Sequence, residues 1–206
     1  MPSFTSRRRA STIAIVVTST MAITAFPALA AGGHGKSHRR TRHRSDVCAS
    51  ANTPASIGPR AALKAAVVCL INRQRTTHGL PALQEDSRLD RSAQTWTDTM
   101  VATQQFDHGV DFAARITAAG YVWSSAGENI ATGYDTPAQV VNAWMASPGH
   151  CQNILNPQYR SVGTGVLDHA ISGFSSAPAT WTQDFALPMG ASAPSNNWAP
   201  FYAVCR

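Results

Sequence analysis

Residues 136–150 read TPAQVVNAWMASPGH, a helix with its own start and stop signals and a histidine just beyond them. Thr136 with Gln139 three residues later is a reciprocal side-chain-to-backbone capping pattern, and Pro137 suits the first helical position, where an N–H would have no partner anyway. Val140, Val141 and Trp144 share one face, and Pro148-Gly149 predicts the end of the helix. Short runs at 128–132 and 161–167 flank this helix and read as strands. A further run, 179–187, alternates, with Trp181, Gln183 and Phe185 on one face and Thr180, Thr182 and Asp184 on the other.

Three helices precede these elements. The first runs from about Pro59 to His78, with Leu63, Val67, Leu70 and Ile71 on one stripe, Gly79 as a left-handed cap and Pro81 blocking continuation. The second spans about 87–103, with Leu89, Ala93, Trp96 and Met100 inward, and the third spans 111–119, with Phe112 and Ile116 inward and Gly120 as its stop. Three helices, a strand, a helix and two strands do not suit a regular alternating parallel sheet. They predict an α+β domain, a small mixed or antiparallel sheet covered by helices.

The chain has 206 residues, 44% of them apolar, with five Trp and seven Phe, which is enough to build a sizeable core and excludes global disorder. Its net charge of +6 is misleading. Eight basic residues lie at 7–9 and 36–44, so residues 46–206 carry nine bases against eleven acids, a net of about −2. The folded part is not basic, and nucleic acid is not an expected partner.

Residues 1–30 have the layout of a secretory signal peptide: a cationic start, an apolar stretch from Ile13 to Phe26, and Ala28-Leu29-Ala30 as the cleavage site. The apolar run falls short of the ~20 residues of a membrane span. Residues 31–45 have no apolar side chain larger than Ala and read as a basic linker or a polycationic tether to anionic wall polymers. The domain is expected over 46–206, exported and monomeric, with no transmembrane segment in the mature chain. Cys48, Cys69, Cys151 and Cys205 then read as two disulfides. Of three pairings, Cys48–Cys69 with Cys151–Cys205 is favoured: the first two are close in sequence, and the last ties down the C-terminus.

Three residues stand out chemically: His108 in Phe106-Asp107-His108, Glu128 in Gly127-Glu128-Asn129-Ile130, and His150 after Ser147-Pro148-Gly149. Each sits beside a glycine or at the end of an element, where turns aim side chains into a shared cleft. Two imidazoles and a carboxylate suit a divalent metal or acid–base work. Spacing alone also allows them to be framework histidines. A hydrolase triad of Ser147, His150 and Glu128 is disfavoured, because Ser147 lacks the G-x-S-x-G elbow that exposes a nucleophile. Asn129 and Asn153 are cleft neighbours expected to satisfy buried backbone groups. Arg73 and Arg75 read as solvated or ion-paired, and Trp96, Trp144 and Trp181 as core. Trp123, Trp198, Phe201 and Tyr202 are candidates for an apolar groove, though core burial is the commoner fate of such residues.

These motifs, together with Leu70-Ile71-Asn72-Arg73-Gln74-Arg75, Gly79-Leu80-Pro81-Ala82-Leu83, Val140-Val141-Asn142-Ala143-Trp144-Met145, Asn153-Ile154-Leu155-Asn156-Pro157, Val162-Gly163-Thr164-Gly165 and Trp181-Thr182-Gln183-Asp184-Phe185, resemble the CAP superfamily in its compact bacterial form. They occur in the family's order over roughly residues 65–187. The resemblance implies a three-layer α-β-α sandwich and a cleft where two histidines and two acids can hold zinc or magnesium. The histidines fall on His108 and His150 and the first acid on Glu128. The second acidic position is Ser147, so a weak zinc or magnesium site is expected, with no cofactor required. The functional expectation is a non-catalytic extracellular module binding a lipid-like or cell-wall ligand, with a metal-dependent peptidase-like hydrolase as the alternative.

Overall fold

The computed structural model describes residues 48–174, 178–192 and 203–206. The signal-peptide and linker readings for 1–45, and Trp198, Phe201 and Tyr202, lie outside the described residues. In chain order the elements are α1 (Arg60–Thr77), β1 (Gln84–Glu85), α2 (Ser87–Thr103), α3 (Phe112–Ala118), β2 (Trp123–Thr132), α4 (Pro137–Ala146), α5 (Pro148–Ile154), β3 (Ser161–Leu167) and β4 (Thr180–Pro188). The strands form one mixed sheet in the order β1-β3-β4-β2, with β1 parallel to β3 and the other neighbours antiparallel. Helices α1, α4 and α5 cover one face and α2 and α3 the other. This is the expected three-layer α-β-α sandwich.

The alternation along β4 sorts its side chains between the layers. Trp181 and Phe185 enter a core with Leu63, Val67, Ile71, Trp144 and Ile154. The opposite set, Thr180, Thr182 and Asp184, is buried as well, against the other helical layer. Thr182 bonds the Thr97 hydroxyl of α2 at 2.8 Å. On β3 the same face is Gly163 and Gly165, where any side chain would collide with the α2 backbone. Helix α2 can approach the sheet this closely because those two positions are bare.

Side chains close part of each flank of the sheet. Beyond the short β1, the outer edge of β3 is met by α2: Thr164 N–H donates to Asp90 Oδ1 at 2.8 Å, and the Gln94 amide bonds both the carbonyl and the N–H of Val166 at 3.1 and 3.2 Å. On the outer edge of β2, Asn153 donates to the Glu128 carbonyl at 3.1 Å and the Trp144 indole to the Ile130 carbonyl at 3.3 Å.

Three elements differ from expectation. Strand β2 begins at Trp123, five residues early, because Ser124, Ser125 and Gly127 obscure its apolar pattern. Pro148 does not merely end α4: it is the first residue of α5, with Ser147 serving as the end of one helix and the start of the next. The two exposed residues of β1 carry no periodicity to read. Both disulfides, Cys48–Cys69 and Cys151–Cys205, pair as favoured, and no helix among the described residues is long and apolar enough to cross a membrane.

Candidate functional site

The site assembles around the free edge of β2, with contributions from both helical layers. Glu128 points to the α2–α3 side, where its carboxylate is buried. His108, in the loop between α2 and α3, approaches it with Nδ1 2.8 Å from Oε1. The imidazole itself is half exposed, 50% by side-chain area. The turn that delivers it uses Gly109, whose φ of +65° and contact with Trp96 leave no room for a side chain.

His150 reaches the same edge from the opposite layer, on α5. Asn129 holds that helix by donating to the His150 carbonyl at 3.2 Å, and Asn153 donates to Asn129 Oδ1 at 2.9 Å. The two asparagines therefore satisfy backbone and each other, as anticipated. Burial depresses the His150 pKa, and the nearby His108 lowers it further, so the neutral imidazole is favoured. Ser147 lies beside His150 in the wall of a groove, and its hydroxyl makes no helix-capping bond.

That groove is a cavity of about 260 Å³. Ile130 and Trp144 line it together with Tyr134, Ala143, Phe106 and Phe174, and His150 and Ser147 add polar groups. Phe106 and Phe174 pack ring to ring at 5.2 Å. Trp123, a groove candidate for which core burial is the commoner expectation, is partly buried and not among the lining; its indole bonds the Thr117 hydroxyl at 3.0 Å.

Two functional side chains escaped the sequence reading. The first is Arg115 of α3, whose Nη2 donates to Glu128 Oε2 at 2.6 Å. Its guanidinium stacks 3.8 Å from the Trp96 ring centroid, so Trp96, expected as core, is half-buried support for the site. The second is Asp184, the cross-strand partner of Glu128 in the β2–β4 register. Burial raises its pKa well above the usual aspartate value and the charge of Glu128 raises it further, which favours the protonated form. The only available signals were a lone arginine beside Ile116 and an acid among small polar residues of a strand. Neither means anything until the strands are in register.

The Arg75 expectation is corrected as well. Arg73 is exposed, but Arg75 is fully buried and donates to the carbonyls of Pro81, Ile154 and Asn156 at 2.8–2.9 Å. Burial, and secondarily the charge of Arg160, lowers its pKa to about 10. It clamps the C-terminal end of α5, the helix that bears His150.

These residues fit a zinc or magnesium ion poorly. Among the described residues no three His, Cys, Asp or Glu side chains converge as metal ligands. Glu128 has one oxygen on His108 and the other on Arg115.

Residues 68–185 match the cysteine-rich secretory protein (CAP) family. The chain belongs to this family. It is 40% identical over 124 residues to YkwD of Bacillus subtilis (strain 168), a match covering 58% of this chain and 45% of YkwD, so it spans under half of that relative. Among solved structures, the CAP domain is similar to an extracellular SCP-domain protein of Bacillus anthracis, with a TM-score of 0.55, 26% identity and coverage of 62% of this chain and 41% of that one. An outer surface protein of Borrelia burgdorferi shares the fold at a TM-score of 0.52 and 20% identity, over 59% of this chain and 90% of its own. Position 147 carries a serine hydroxyl, and the carboxyl group beside Glu128 is that of Asp184 on the adjacent strand.

Proposed function

We propose that this CAP domain is an exported, non-catalytic binding module whose groove takes an apolar portion of a lipid-like or cell-envelope molecule. The observation that carries this reading is the groove, with Phe106, Tyr134, Trp144 and Phe174 as aromatic lining and His150 and Ser147 as polar groups. Ligand pockets are built this way, with apolar walls for affinity and a few polar atoms for orientation. At about 260 Å³ it suits an acyl segment or single ring of an extended ligand. The metal-dependent hydrolase alternative draws less support, because Glu128, its natural general base, is held by Arg115 and His108.

The test uses Trp144 as an internal reporter. Titration of a fluorescent fatty acid, and of a lipid extract from a bacterial envelope, is expected to change indole emission saturably. Ala143→Phe, which fills the groove, is expected to abolish the change. No response to either probe, or a response untouched by Ala143→Phe, overturns the reading.

The export and retention parts of the proposal rest on the secretory layout of residues 1–30, the two disulfides and the basic run at 34–44. Deleting residues 31–45 is expected to move the protein from the cell-wall fraction to the medium. Unchanged fractionation refutes a tethering role for that segment.

A further inference from the structure

The counter-charge of Glu128 is part of the chain. Arg115 makes two directed contacts at once, Nη2 to Glu128 Oε2 at 2.6 Å and Nη1 to the His108 carbonyl at 2.9 Å. The face of Trp96 supports the guanidinium from one side, and Gly109 leaves the space that its Nη1 occupies. The Arg115 side chain is only 18% exposed and the Glu128 side chain 1%, so the pair is screened little by solvent. A planar, weakly hydrated guanidinium is the cation best suited to such a dry carboxylate. A divalent ion at Glu128 would have to sit beside the Arg115 guanidinium, fixed 2.6 Å from Oε2, and would meet its like charge in a site with little water to screen it.

We propose that Arg115 is a positioning residue that serves as the resident counter-charge of Glu128: it neutralises the carboxylate, fixes the backbone of His108 so that Nδ1 stays on Glu128, and by its fixed positive charge keeps divalent ions away from that carboxylate. This inference is independent of what the groove binds.

Zinc titration by calorimetry on the whole chain tests it, with the histidines at 34, 38 and 43 kept in every variant so that their binding cancels. The native protein and His108→Ala are expected to give the same isotherm. Arg115→Met removes the fixed cation beside Glu128 and is expected to gain a zinc site at His108 and Glu128 at least about tenfold tighter than any in the native protein, a gain lost in Arg115→Met/His108→Ala. A purely structural Arg115 would lower the melting temperature without opening a zinc site. Micromolar zinc binding by the native protein that disappears in His108→Ala overturns the proposal, as does an Arg115→Met protein that folds and gains nothing. If Arg115→Met does not fold, Arg115→Gln takes its place: it keeps a hydrogen-bond donor for Glu128 but removes the charge, and a smaller gain is expected. No gain there overturns the proposal too.

Discussion

Arg75 and Arg115 are both withdrawn from solvent, and they are used in opposite ways. Arg75 is sealed completely and donates to backbone carbonyls, those of Pro81, Ile154 and Asn156. Arg115 sits at the lip of a cleft, with a carboxylate on one prong and an aromatic face beneath it. The first joins the end of α1 to the end of α5. The second shapes the charge of a site. A guanidinium that meets carbonyls organises chain; one that meets a buried acid organises chemistry.

The largest expected effect comes from Arg75→Met. It leaves several buried carbonyls without donors, at about 1–3 kcal/mol each before relaxation, so thermal denaturation should show a loss of about 4 kcal/mol. Arg115→Met should cost less, about 3 kcal/mol, chiefly through the unpaired Glu128 carboxylate, and Glu128→Gln in the same chain should recover most of it. Failure of that recovery, or a milder loss at Arg75 than at Arg115, would break the contrast between clamp and counter-charge.

The smallest effect has the opposite sign. The folded pKa of Asp184 is raised, so the folded state holds a proton that the unfolded chain releases above about pH 3.8. Stability from this group is therefore lost as pH rises from that value toward the folded pKa. Asp184→Asn removes the titration and keeps the shape, so it should melt higher than the native protein at pH 7 and show a smaller advantage near pH 4. A pH-independent difference would show that Asp184 does not carry a proton beside Glu128.

The helices were legible because their signals are local. Capping at Thr136, the stripes of α1 and α2 and the glycine stops need no knowledge of neighbours. His108, Glu128 and His150 were legible through motifs. Arg115 and Asp184 were not, because their meaning is relational: Asp184 matters only once β2 and β4 are set in register, and Arg115 only once α3 lies over Glu128. Arg75 was misread for a related reason. Nothing in helix periodicity announces that the exposed end of one helix will be buried by the carbonyls of another.

The closed flanks of the sheet have a consequence for colonies of molecules rather than for one. An open strand edge is a template on which a second chain can add, and from there oligomers and fibrils grow. Here Asp90 and Gln94 bond one rim and Asn153 and Trp144 the other, filling places that an incoming strand would take. In the exported setting proposed for this protein, where molecules crowd without chaperones to separate them, four ordinary side chains would act as terminators of polymerisation.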